Sequence, residues 1–122
     1  RLYLLTSYNT FSAADVMTRI CKEYDNCVVV GTNTSGEGIC GSIMQCYLPE
    51  SHFMFAYAPT VNINYPEDSY YGTEPDIYIP YTLDEYYARN DIFNSGTNPN
   101  SYAVRLQWDQ TLLRVIDMAE ED

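Results

Sequence analysis

The chain has 122 residues, about one domain's worth, with 17 Asp plus Glu against 6 Lys plus Arg and a formal net charge of −11. That charge repels phosphate backbones and anionic lipid surfaces, so no nucleic-acid partner is expected. No run approaches the ~20 apolar residues of a membrane span, and 13 Tyr, 4 Phe and 1 Trp are too many rings for a disordered acidic chain.

Leu2 to Thr6 (LYLLT) is a short apolar run closed by the polar set Ser7 to Thr10, which reads as a buried strand. Val16, Met17, Ile20 and Tyr24 then recur at helical spacing and predict a helix that turns this face inward. Ser12 with Asp15 three residues later resembles a capping box with Asp in the place of Glu. Cys27 to Val30 (CVVV), ended by Gly31, is a second buried strand. Strand, helix and strand in about thirty residues make a βαβ unit, hence a parallel pair joined by a right-handed crossover.

The segment GTNTSGEGICGS carries four glycines in twelve residues and reads as a loop that lets backbone approach a ligand closely. It lacks the Lys-Ser/Thr ending of a phosphate-binding loop, so nucleotide binding is not expected. Strands follow at Ile43 to Leu48, Phe53 to Tyr57 and Val61 to Tyr65, with a hairpin turn at Pro49 to Ser51, and a short strand at Asp76 to Ile79. Thr82 and Glu85 form a T-x-x-E capping box that opens a helix through about Arg89. Asn94 to Ser101 is a polar loop, and a final helix from about Trp108 aligns Leu112, Val115, Ile116 and Ala119.

Cys21, Cys27, Cys40 and Cys46 have no C-x-x-C spacing and stand beside a single His, so no metal site is expected. Buried thiols and one or two disulfides both stay open. His52 follows a turn and reads as a solvent-facing strand residue. Thr34 and Ser35 read as plain loop polar groups, and Glu67, Asp68 and Glu74 as solvated loop carboxylates. Tyr70-Tyr71 and Tyr86-Tyr87 are adjacent pairs, either half-buried element edges or outward rings of a contact face.

Two readings share the Ser12 oxygen. One is a helix cap that satisfies a free amide. The other is a nucleophile at the carboxyl edge of a parallel sheet, beside free amides and the positive end of a helix dipole. In the second reading the N–H of Ala13 is the nearest oxyanion donor.

An apolar strand, T-F-S-A-A-D, an amphipathic helix, V-V-V-G and then G-T-N-T-S-G-E-G resemble, in that order, the carboxyl-terminal-processing (tail-specific) serine peptidases. Leu48-Pro49-Glu50-Ser51 looks like that family's hairpin, Gly72 to Ile77 like its G-x-x-P-D-I/V strand, and Asp109 to Leu112 like its closing D-x-x-L helix. The resemblance implies an α/β crotonase/ClpP-like β-superhelix with outer helices, of which residues 1–122 would be the C-terminal part. It implies a serine-type endopeptidase acting through an acyl-enzyme on Ser12, with Ala13 at the oxyanion and Gly36 and Gly38 against the substrate. It implies a polypeptide partner, an extracytoplasmic location and no cofactor. A cut superhelix would leave an apolar edge on the first strand, so a homo-oligomer and an inactive fragment are expected.

One departure separates this chain from the Ser/Lys members. Where they carry the Lys of G-K-G, Glu37 stands here, 25 residues after Ser12. Lys22, the single lysine, lies about 15 Å along the helix from Ser12 and cannot replace it. Three accounts are open: a His supplied from outside this chain, Glu37 itself with its pKa raised by burial, or a peptide-binding pseudo-peptidase that no longer cuts.

Overall fold

The computed structural model describes residues 1–38, 41–61 and 71–121. Among them the order is β1 (Leu2–Thr6), α1 (Ala13–Lys22), β2 (Cys27–Gly31), β3 (Met44–Tyr47), β4 (Met54–Tyr57), β5 (Ile77–Tyr78), α2 (Leu83–Asn94), α3 (Tyr102–Arg105) and α4 (Gln110–Glu121). The strand expected at Val61 to Tyr65, and Cys40, Glu67, Asp68 and Tyr70, lie outside the described residues apart from Val61.

β1 and β2 pair in parallel from Leu2 opposite Cys27 to Thr6 opposite Gly31, the register of a βαβ crossover. β5 adds to the other side of β2, with Val30 opposite Ile77, giving a parallel sheet ordered β1-β2-β5. Side chains alternate across a strand, so Leu4 and Val29 share one face and Tyr3 and Val30 the other. Cys21 of α1 packs with Cys27, Val29 and Leu4 on the first face. On the second, the Tyr3 hydroxyl reaches the Met118 carbonyl of α4 at 3.5 Å. With helices on both sides, Val29 and Val30 are each 0% exposed, as the middle strand of a covered parallel sheet should be.

The rotation of α1 differs from the sequence expectation. Its buried residues are Asp15, Thr18 and Cys21, while Met17, Ile20 and Tyr24 are 51%, 47% and 60% exposed. Burying Thr18 costs little because its hydroxyl donates to the Ala14 carbonyl at 2.9 Å within the helix. Asp15 is held by a polar cluster described below, and that anchor fixes which face looks inward. Cys21, Cys27 and Cys46 are free thiols. Burial pushes the Cys27 thiol up, with Cys21 beside it adding to the effect, so this pair behaves as core filling.

β5 is held by its neighbour Asp76. The Asp76 carboxylate accepts the Val29 amide at 2.8 Å and pairs with Lys22 at 3.0 Å, and Lys22 also donates to the Glu74 carbonyl at 2.6 Å. Partial burial pushes the Asp76 carboxyl up, but the Val29 amide and Lys22 outweigh it and hold it below the ordinary carboxylate range. A depressed folded pKa gives stability that is complete above the unfolded value and is lost as pH falls through the folded one. Urea midpoints should therefore drop below about pH 4, and Asp76→Asn should show a shallower drop over that window. Equal acid sensitivity in the two proteins would contradict this role.

β3 and β4 form an antiparallel hairpin with Met44 opposite Tyr57 and Tyr47 opposite Met54. Its turn carries His52 at φ 59°, exposed, with Nδ1 2.7 Å from the Tyr47 hydroxyl. α2 opens on the expected capping box. Thr82 Oγ1 accepts the Glu85 amide at 3.2 Å, and the Glu85 carboxylate takes the Thr82 amide at 2.8 Å. The other oxygen of Glu85 accepts the Gln110 amide at 3.0 Å, so one buried carboxylate ties the starts of α2 and α4 together.

α2 runs to Asn94, past the expected end near Arg89. Ser95 Oγ donates to the Ile92 carbonyl at 2.6 Å and Gly96, at φ 83°, turns the chain away. α4 begins at Gln110 because Asp109 caps it, Oδ1 accepting the Leu112 amide at 2.9 Å. The single turn α3 is too short for any periodic signal.

Candidate active site

Ser12 stands where the loop from β1 meets α1, and its backbone is in the left-handed half of the map at φ 56°, ψ −123°. For a residue other than glycine such a conformation costs on the order of 1–3 kcal/mol and persists only where the surroundings impose it. Here they do. The Ser12 amide donates to the Gly36 carbonyl at 2.8 Å, Ser35 donates to the Thr10 carbonyl at 2.9 Å, and Phe11 bridges Gly36 in parallel. The glycine loop is thus laid as a strand-like rail beside Ser12.

The local cap reading fails on geometry. A serine cap has extended φ/ψ and an oxygen on the amide two or three residues ahead. Thr82 has both, at φ −93°, ψ 160°. Ser12 has neither, and its half-buried side chain makes no capping bond. The Ala13 amide, first in α1, meets no acceptor among the described residues and lies at the positive end of the helix dipole.

Asp15 is fully buried, 0% exposed, and departs from its expected part in a capping box. Its Oδ1 accepts the Thr34 hydroxyl and, at 2.7 Å, the Thr73 hydroxyl, while the Thr73 amide donates to Thr34 Oγ1 at 2.6 Å. Charge-assisted hydrogen bonds and the first turn of a helix are what a buried carboxylate needs. The cluster ties α1 to the glycine loop and to the turn before β5. It also explains Gly72: at φ +91°, a Cβ there would lie 2.0 Å from the Thr34 carbonyl oxygen. Thr34, expected as a plain loop group, and Thr73, which carries no local signal, are 2% and 6% exposed, and both are structural partners of Asp15.

The glycine loop places its candidates unevenly. Gly36 is buried and gives its carbonyl to Ser12, and Gly38 is buried nearby. Glu37 between them is exposed at φ 65°, so it lacks the burial that would make it a base. Lys22, tied to Asp76 and Glu74, is spent at the far end of α1. His52 sits in the hairpin turn, bound to Tyr47. Among the described residues no cluster of three or more metal-ligating side chains occurs.

Ser12 thus stands in strained backbone at the end of the loop that leads from the parallel strand β1 into α1. The sequence profile of peptidase family S41 matches residues 1–79, and the chain belongs to that family. Among solved structures it is similar to one described as a "putative peptidase" from Parabacteroides merdae, at 19% identity and a TM-score of 0.49, over 70% of this chain and 26% of that one. This chain thus spans about a quarter of the length of that structure. No curated protein sequence matches it.

Proposed function

We propose that this chain is part of a serine endopeptidase of the carboxyl-terminal-processing kind, on a crotonase/ClpP-like fold, that cleaves polypeptides through an acyl-enzyme on Ser12. The observation that carries the reading is the strained backbone of Ser12, which frees its oxygen from capping. The Ser12 oxygen attacks the scissile carbonyl carbon, and the carbonyl oxygen, gaining charge, is met by the Ala13 amide. The attacking hydroxyl needs a base. Glu37 is exposed and Lys22 is paired elsewhere, so the base is assigned to a His outside these residues, followed by Glu37. The exposed Glu37 at the position of the family's lysine also favours a second reading, a peptide-binding module that does not cut.

Cleavage of an unfolded, carboxyl-terminally labelled protein by the full-length parent separates these accounts. With an outside base, Glu37→Gln should keep cleavage within several-fold of the parent. A loss of about a hundredfold or more would make Glu37 the base. No cleavage by the parent itself would leave the peptide-binding module.

A further inference from the structure

A cleft of about 600 Å³ opens where β1 and β2 end, lined by Ser7 to Asn9 on one side and by Tyr81, Tyr86, Arg89 and Trp108 on the other. Its size is that of a ligand site, and its walls combine rings with a few polar groups, the usual make-up of one. Tyr81 meets Trp108 edge-on at 6.4 Å, and the indole N–H is already spent on the Pro99 carbonyl at 3.1 Å, so the rings offer packing surface.

The charged groups in and beside the cleft differ in how they are paired. Arg105 Nε donates to Asp109 Oδ2 at 2.8 Å, and Asp109 Oδ1 takes the Leu112 amide, so this pair is closed on itself. Glu85, one turn before Arg89, has its oxygens on Thr82 and Gln110. Arg89 is half-buried and, among the described residues, no carboxylate ion-pairs with it. In a chain of net charge −11, a half-buried guanidinium with no ion pair among the described residues, inside an aromatic cleft, favours an anion.

We propose that this cleft is the subsite for a carboxylate-bearing residue of a polypeptide ligand, with Arg89 taking the carboxylate and Tyr81, Tyr86 and Trp108 packing its stem. The proposal deepens the reading of Ser12 as nucleophile and rests on it for register. Asn9 is three residues before Ser12, so their Cα atoms are within about 11 Å. An extended peptide rises about 3.3 Å per residue, so a ligand whose scissile bond lies at Ser12 needs no more than about three residues to reach Asn9 on the wall of this cleft. The carboxylate can be an Asp or Glu side chain or a free chain end.

Calorimetry on the full-length protein carrying Ser12→Ala tests this without requiring cleavage. The probes are eight-residue peptides of alanine, leucine and serine, capped at both ends, that differ only in a central Glu or Gln. A third peptide has the Gln and a free carboxyl terminus. At least tenfold tighter binding of the Glu peptide supports a side-chain carboxylate, and the same gain for the third peptide supports a chain end. Arg89→Gln should erase the preference, Arg89→Lys should keep part of it, and Arg114→Gln on exposed α4 surface should keep all of it. No binding, equal binding of the three peptides, or a preference that survives Arg89→Gln in a folded protein overturns the proposal. Preference without any cleavage by the parent would overturn only the nucleophile reading, since the subsite is read by binding alone.

Discussion

Ser12→Ala is expected to lower polypeptide cleavage by the full-length protein by at least about 10⁴-fold, the scale on which removal of a serine nucleophile acts, while leaving the unfolding midpoint close to the parent's. The second half of this prediction is the sharper one. An ordinary serine cap is worth about 1 kcal/mol, so a capping Ser12 would show itself as a loss of stability. Its oxygen makes no such bond, and little is lost with it. Ser12→Gly should go further. Glycine occupies φ 56°, ψ −123° without the clash that a Cβ suffers, and relief of strain should outweigh its extra unfolded-state entropy by roughly 1 kcal/mol. A dead protein more stable than its parent is the signature of strain kept for function. Urea unfolding of the three proteins reads it, and a Ser12→Ala protein that both cleaves and is destabilised would return Ser12 to the role of a cap.

Asp15→Ala is expected to cost about 2–4 kcal/mol, because it strands the Thr34 and Thr73 hydroxyls in a dry interior and leaves a small void. The loss should not be confined to stability. Asp15 lies one helical turn past Ser12, and its two threonine partners come from the glycine loop and from the turn before β5. Removing it frees the rail that holds the Ser12 amide, so cleavage should fall even in the fraction that stays folded. Asp15→Asn, which keeps an acceptor oxygen but no charge, should lie between. Chemical denaturation of the three proteins decides, and a cost below about 1 kcal/mol for Asp15→Ala would mean that the cluster does not hold the site.

Much of the architecture could be read from local signals. LYLLT and CVVV flanking one helix-length segment define a parallel βαβ unit, and P-E-S between two apolar runs marks a hairpin. T-x-x-E at Thr82 marks the start of α2. What escaped depends on contacts far apart in the chain. Met17, Ile20 and Tyr24 have the spacing of a buried stripe, yet α1 is rotated by a carboxylate whose partners lie 19 and 58 residues away. No pattern within the helix carries that information. The end of α2 is a local exception: the helix runs to Asn94, past the expected end near Arg89, and Ser95 closes on Ile92.

The site divides in the same way. Ser12 and Ala13 are candidates on S-A-A-D after a strand, the short linear signature that a nucleophile at a sheet's carboxyl edge would have. Asp15 was in view but given the wrong partner, since S-x-x-D also spells a capping box. Arg89 belongs to α2 and Trp108 to the turn between α3 and α4, and they converge only when the chain closes over the ends of β1 and β2.

The most direct measurement of the central claim is covalent. The full-length protein is treated with a fluorophosphonate, which phosphonylates a serine oxygen only when that oxygen is activated, and the adduct is located by peptide mass spectrometry. One adduct on Ser12, absent after the protein is unfolded before treatment, is the predicted result. No adduct under conditions where the protein is folded, or labelling that persists unchanged in Ser12→Ala, would contradict Ser12 as the nucleophile.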